Sequence, residues 1–390
     1  MKKRVLYFVL AVFLFCGCGE AEATQIKELP SEIRGSENFG TGLTKGELRE
    51  SSVVYEDAPV DFQDEVIEEM FRNMLAKPEG EIYISDLQKI HAIYWGGKEY
   101  YSNLQTENGR LSDESGVPWE MKQPKSFADL AYCYNLQLIR LSDEMEIPSL
   151  EPLFGLPLLE EIMFNGSNVF QGSKVPEKTM EEVGKLHTVK RIYFLNMDLS
   201  SIKPLLNLPQ LEVLDFTQTT VTKEVLKEIG QMPALHTLYL GHGEFTQWGH
   251  LTDGSFLLPL KDQLKKLWAQ ANIDWNPKVL SQMMKLEDLV IENVNDISFL
   301  EHLTELKILE LRKCQPEDWS LLYQPKKLKE LVIKGNMYHI IEIELEDITP
   351  LTNLDYLWID LDFSTLGKEC GRQDIIEAMP NLTGLTTTIW

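Results

Sequence analysis

Cysteine is scarce in this chain. There are five in 390 residues, two of them at positions 16 and 18, and only Cys133, Cys314 and Cys370 follow. An odd number without short spacings writes neither a disulfide framework nor a metal motif. Basic residues are also in deficit: 37 Lys and Arg face 61 Asp and Glu, a net charge of −24. That argues against nucleic acid and against polybasic attraction to anionic lipid. It suits a well-solvated surface or a basic partner. No Gly-x-Ser-x-Gly elbow, phosphate-binding loop or His-Glu-x-x-His sequence occurs, so hydrolase, nucleotide and zinc-protease chemistry lack their usual signatures. The expectation is a non-enzyme without a cofactor or metal. The apolar run Val5 to Phe15 is too short for a stable transmembrane helix.

What is abundant is leucine at a repeated spacing. Leu-x-x-Leu-x-Leu or a close variant opens at Leu136, Leu159, Val189, Leu211, Leu235, Leu264, Leu286, Leu306, Leu328, Leu354 and Leu382, at intervals of 20 to 30 residues. The fourth and sixth positions, such as Leu214 and Phe216, are two apart and so share one face of a strand. One such strand cannot bury its apolar side alone; stacked in parallel, the strands share a core. This predicts an α/β solenoid, a leucine-rich-repeat horseshoe with a parallel concave sheet. The ninth motif position is Asn or Cys in an ideal repeat. Here it is Asn272, Cys314 and Asn336, with Ser167, Thr219 and Asp362 elsewhere. Apolar residues every third position in 150–156, 202–208 and 296–303 fit 3₁₀ turns on the convex side. Val221 to Gly230 reads as a short helix.

The convex segment Asp347-Ile348-Thr349-Pro350-Leu351, with its three-residue relatives, resembles the internalin-like class of bacterial leucine-rich-repeat proteins over roughly residues 57–390. The resemblance implies a binding protein that presents its concave face to a protein ligand, with an N-terminal helical cap. Phe62 to Leu75 carries the helical stripe for such a cap, with Asp61 as N-cap and Gly80 past its end. Ile90, Ile93 and Trp95 repeat the strand triplet and predict one further strand. The intervening stretch, 96–126, breaks the period and reads as a loop insertion.

Lys2, Lys3 and Arg4 ahead of the apolar run mark residues 1–18 as a targeting segment. Gly17-Cys18 resembles a bacterial lipobox, although Phe15 and Cys16 are unusual in it. The resemblance implies lipidation at Cys18 and an extracytoplasmic protein held to the bacterial membrane. Residues 19–56 are polar and aperiodic, as a flexible tether would be. The domain reading is therefore 1–18 signal, 19–56 tether, 57–95 helical cap and first strand, 96–126 insertion, and 127–390 repeats.

The residue between the fourth and sixth motif positions forms one column along the concave sheet: Tyr94, Arg140, Met163, Tyr193, Asp215, Tyr239, Trp268, Val290, Glu310, Val332, Trp358 and Thr386. Arg140, Tyr193, Tyr239, Trp268 and Trp358, with Tyr356 beside the last, are the candidate ligand-binding residues. Tyr and Trp are frequent at binding hot spots, yet aromatics also favour strands for their own sake. Charge alternates in sign between Glu160/Glu161, Lys190/Arg191, Lys265/Lys266 and Glu287/Asp288. Ordinary solvation explains this as readily as a docking pattern does. His236, His242, Glu244 and His250 lack zinc spacing. The run Glu342, Glu344, Glu346 alternates with Ile341, Ile343 and Leu345, which is how a half-buried strand shows its wet face. A glycan-binding protein is the second expectation and a hydrolase the weakest. The sequence stops at Trp390 without a further cap, so the last strand's edge could pair with another molecule.

Overall fold

A computed structural model describes residues 48–96, 99–102, 117–118, 122–166, 173–241, 252–270, 273–336, 338–360, 364 and 371–388. The strands in chain order are β1 (Ala92–Gly96), β2 (Glu99–Ser102), β3 (Val117–Pro118), β4 (Leu138–Ser142), β5 (Glu161–Asn165), β6 (Arg191–Leu195), β7 (Asp198–Leu199) and β8 (Val213–Phe216). They continue as β9 (Thr220–Val221), β10 (Thr237–Leu240), β11 (Lys266–Ala269), β12 (Asp288–Glu292), β13 (Ile308–Arg312), β14 (Glu330–Lys334), β15 (Tyr356–Asp360) and β16 (Gly384–Thr388). Fourteen of them form one sheet in the order β16-β15-β14-β13-β12-β11-β10-β8-β6-β5-β4-β1-β2-β3. From β1 to β16 every pairing in it is parallel. This is a leucine-rich-repeat solenoid, and the extra strand expected around Ile93 is its first parallel member.

The motif leucines lie on the inner face, as the two-residue alternation requires. Leu214, Leu238, Leu267, Leu289, Leu309, Leu331 and Leu357 are all fully buried in one continuous core. Phe164, Phe194 and Phe216 occupy the sixth position of three successive repeats and stack nearly parallel, with centroids 5.5 and 5.8 Å apart. Two ninth-position residues, the substitute Thr219 and the regular Cys314, hold the turns. Thr219 Oγ1 donates to Phe194 O at 2.6 Å and accepts from Met197 N at 3.3 Å. Cys314 Sγ donates to Arg312 O and accepts from Val294 N. Asn196, Gln218, Asn293 and Lys313, which follow their strands, take positive φ.

The convex side mixes 3₁₀ segments at Glu151–Leu153, Lys203–Asn207 and Ser298–His302 with true helices. The helix expected in 221–230 spans Lys223–Ile229, with Thr222 as its N-cap. A similar one, Glu177–Val183, occupies the longer interval after Leu159. Each reaches back with one buried acid. Glu182 accepts from Leu150 N and Ser149 Oγ; Glu228 accepts from Ile202 N at 2.6 Å and Ser201 Oγ at 2.7 Å. In both helices a glycine follows two residues on, Gly184 and Gly230. An added Cβ there would lie 2.5 Å from the Pro204 or Phe256 carbonyl oxygen of the next repeat. Glu228→Ala is expected to destabilise the chain by roughly 1–3 kcal/mol, because the buried Ile202 N–H loses its acceptor. Thermal unfolding measures this, and Glu228→Gln should recover most of the loss.

Four expectations change. The first helix spans Glu65–Met74 and is capped by Asp64, not Asp61. Asp64 Oδ1 accepts from Val66 N and Ile67 N, and its Oδ2 also accepts from Lys125 N and Ser126 N. The tertiary partners therefore choose the cap. The 96–126 stretch is not all loop: β2 pairs antiparallel with β1, and β3 with β2. Residues 48–56, read from the sequence as part of an aperiodic tether, contain positions that contact the solenoid. Leu48 packs against the pair Ala92 and Leu138. Arg49 pairs with Glu160 at 2.7 Å, and Ser51 N donates to Asn135 Oδ1 at 2.6 Å. Finally, 341–345 is not a strand. Ile341 makes one bridge to Ser364, and Leu345–Ile348 is a single helical turn begun by Glu344 and Asp347. Cys18, His242, Glu244, His250, Asn272, Asp362, Cys370 and Trp390 lie outside the described residues.

Candidate functional site on the concave sheet

The register aligns the concave column as the motif spacing predicts. Tyr94, Arg140, Met163, Tyr193, Asp215, Tyr239, Trp268, Val290, Glu310, Val332, Trp358 and Thr386 are successive cross-strand partners. The column is not uniform. Met163, Val290 and Val332 are buried, whereas Tyr193, Tyr239 and Trp268 are half-buried. Tyr239 and Trp268 meet edge to face, centroids 5.1 Å apart at 73°. Tyr193 is one strand further on, beyond Asp215. The central aromatic trio is therefore one patch.

The outlying candidates are not part of it. Trp358 lies four strands from Trp268 and carries Lys334 Nζ over its ring at 3.7 Å. Lys334 in turn reaches Glu310 at 3.3 Å, and Arg312 pairs with the same carboxylate. Tyr356 is buried; its hydroxyl donates to Thr386 Oγ1 at 2.7 Å. Its ring covers Gly384, where an added Cβ would sit 2.7 Å from Cδ2. Tyr356 thus seals the last strand pair. Arg140 stands between Tyr94 and Met163 with its Nε buried and without a hydrogen bond.

One acid lies within the aromatic patch and another borders it. Asp215, between Tyr193 and Tyr239 in the column, is 2% exposed. Both its hydrogen bonds fall on Oδ1, from Thr217 N at 2.8 Å and Thr217 Oγ1 at 2.5 Å. Burial pushes its carboxyl up to about 7 against the pull of those bonds. Asp288, in the neighbouring column on β12, is 3% exposed. Its Oδ2 stands 4.0 Å from Lys266 Nζ. Asp288 Oδ1 and Trp268 Nε1 are both buried and fall outside strict hydrogen-bond geometry, yet the indole still favours the carboxylate as a donor. Burial raises Asp288 to about 6, with the nearby Trp268 indole and Lys266 opposing and Glu310 and Glu330 reinforcing. Burial, then the Glu161 charge, likewise raises the Tyr193 hydroxyl. Sequence reasoning places Asp215 in the column and Asp288 among the alternating charges, but carries no signal for their depth.

The charge alternation resolves into a different column, at the N-terminal ends of the strands. Glu160 pairs with Lys190 at 2.7 Å, Glu212 with His236 at 3.5 Å, Glu287 with Lys307 at 2.5 Å and Lys329 with Asp355 at 3.3 Å. These side chains pair with one another across neighbouring repeats. Exposed pairs of this kind contribute about 0–1 kcal/mol each. Among the described residues, no three His, Cys, Asp or Glu side chains converge as a metal site would require, and no helix is long and apolar enough to cross a membrane.

No protein-family model matches the chain, and no curated protein matches it. Solved structures do. An internalin from Listeria monocytogenes is 20% identical, with 87% of this chain and 95% of that chain covered and a TM-score of 0.51. A leucine-rich-repeat protein of Leptospira interrogans is 17% identical over 67% of this chain and 80% of its own, with a TM-score of 0.35. At this identity the likeness to the internalin speaks for architecture. The chain has an internalin-like leucine-rich-repeat fold.

Proposed function

We propose that this chain is a surface-tethered protein that takes a protein ligand on its concave face. The Tyr193, Asp215, Tyr239, Trp268 run is the observation that supports the reading most. Half-buried Tyr and Trp rings bordered by buried polar groups have the make-up of binding hot spots. Arg140, Trp358 and Tyr356 lie outside that centre, so their part is at the margin. The glycan reading has less support, because Tyr239 and Trp268 stand at 73° and do not form one flat platform for a sugar ring. In this proposal Cys18 carries a lipid, and the segment between it and Leu48 lifts the solenoid off an extracytoplasmic membrane face.

Proximity labelling from the intact chain on cells tests this. The wild type is expected to label a partner protein that Tyr239→Ala/Trp268→Ala does not. Hot-spot truncations of about 2 kcal/mol each weaken binding roughly 30-fold apiece. Cys18→Ser should release the labelling into the medium. If a glycan array instead records specific sugar binding that Trp268→Ala abolishes, the protein-ligand reading fails in favour of the sugar.

A further inference from the structure

We propose that the concave partner is basic: an extended polypeptide segment whose Lys or Arg side chains seat on the Tyr239–Trp268 pair, between Asp215 and Asp288. This rests on the reading of the concave sheet as a protein-ligand surface and names the chemistry of the ligand.

Three features of the patch point the same way. First, aromatic ring faces attract a cation through their quadrupole, most strongly where water is excluded. Second, a cation taken out of water needs an anion close by, and one stands on either side of the ring pair. Asp215 uses only Oδ1 for its hydrogen bonds to Thr217. Asp288 holds Oδ1 buried with only the Trp268 indole acting on it as a donor outside strict hydrogen-bond geometry, while its Oδ2 is at the outer limit of an ion pair with Lys266. Lys266 is 41% exposed at its side chain, so it can turn to solvent as another cation arrives. Third, a chain with net charge −24 steers basic partners in and acidic ones away.

The spacing makes the proposal specific. β8, β10, β11 and β12 are consecutive in the sheet, and Asp288 is in register with Val213, two residues before Asp215, so the two acids are roughly 16 Å apart at about 4.8 Å per strand step and about 3.3 Å per residue. An extended peptide crossing the strands rises about 3.4 Å per residue. Residues i and i+4 of a ligand lying diagonally across the strands point to the same side and span about 14 Å, which long Lys or Arg side chains extend to reach both acids. Binding should also tighten as the pH rises from about 5.5 to about 8, because a cation favours the ionised carboxylates. Tyr193, Tyr239 and Thr217 face Asp215; Lys266, Trp268, Glu310 and Glu330 face Asp288.

The test is a random peptide-display selection on the full chain, followed by affinity measurement on synthetic copies of the enriched peptides. Enrichment of Lys or Arg pairs four apart is expected. Asp215→Asn/Asp288→Asn should lower their affinity about tenfold or more. Asp318→Asn/Glu305→Gln, which removes the same charge from exposed sites elsewhere, should leave it within about twofold. Basic peptides that bind both double variants alike overturn the proposal, since overall acidity then suffices. A neutral or acidic consensus lost on Tyr239→Ala/Trp268→Ala also overturns it, while upholding the protein-ligand reading. A selection yielding nothing sensitive to any concave substitution overturns both.

Discussion

Phe194→Ala is expected to split the unfolding of this protein into two steps. Phe194 is fully buried between Phe164 and Phe216, and the three rings run through β5, β6 and β8 within about 12° of parallel. Removing a buried Phe side chain costs about 3–5 kcal/mol in lost transfer energy and cavity. Each ring pair adds about 0.5–1.5 kcal/mol beyond burial, and this residue belongs to two pairs. In a compact domain such a loss lowers one global midpoint. In a solenoid each repeat contacts only its neighbours, so the loss falls on the two interfaces of one repeat. The repeats on either side keep their own contacts and should unfold separately. Calorimetry is expected to show a broadened or doubled transition, and hydrogen exchange should accelerate first in β5, β6 and β8. Phe194→Leu keeps most of the volume and loses only the stacking, so its effect is smaller. A single sharp transition at a lower temperature for Phe194→Ala would show that the array melts as one unit.

The repeats were readable because one physical rule, burial of alternate strand residues, is written eleven times. That rule predicts the parallel sheet, the core, and even which residues share a concave column, from Tyr94 to Thr386. What the rule does not contain is depth on the polar side. Asp215 and Asp288 stand at concave positions that other repeats fill with buried acids, such as Glu310 and Glu161, or with the part-exposed Arg191 and Lys266, and nothing in the motif tells the two cases apart. Tyr356 and Trp358 look equivalent in sequence, yet a glycine across the sheet at position 384 draws the first into a structural seal. Helix starts fail for a related reason. Asp61 and Asp64 are both competent caps, and the choice falls to backbone N–H groups of residues 125 and 126, far away in sequence. Glu182 and Glu228 read as ordinary wet-face residues of amphipathic helices. Their Glu-x-Gly spacing, repeated in Glu182-Val183-Gly184 and Glu228-Ile229-Gly230, was the available signal that they turn inward.

Asp215→Asn is expected to stabilise the folded chain, and to do so more at higher pH. The sign follows from the proton balance. The Asp215 carboxyl sits at about 7 in the fold against an ordinary value of 3.8. Between those values the folded state holds a proton that the unfolded state releases, so stability falls as the pH rises through this window and levels off above about 7. Each pKa unit corresponds to about 1.4 kcal/mol, so the penalty approaches about 4 kcal/mol when the carboxylate is ionised. Asn resembles the protonated acid and does not ionise. Its Oδ1 can still accept from Thr217 N and Oγ1, and its amide takes the place of Oδ2 at some cost if no acceptor faces it. The expected gain is roughly 2–4 kcal/mol near pH 8, shrinking toward pH 4, where the wild-type acid is protonated in both states. Unfolding midpoints of the two proteins across that range measure it, with exchange rates in β6, β8 and β10 locating the effect. Equal midpoints at every pH would mean that Asp215 ionises freely and is not the desolvated acid described here. A gain that grows with pH shows an acid kept at the centre of the concave sheet against the stability of the fold. Such a conflict between local cost and retained residue is expected at functional sites, and it is the physical ground for reading Asp215 as part of the ligand surface.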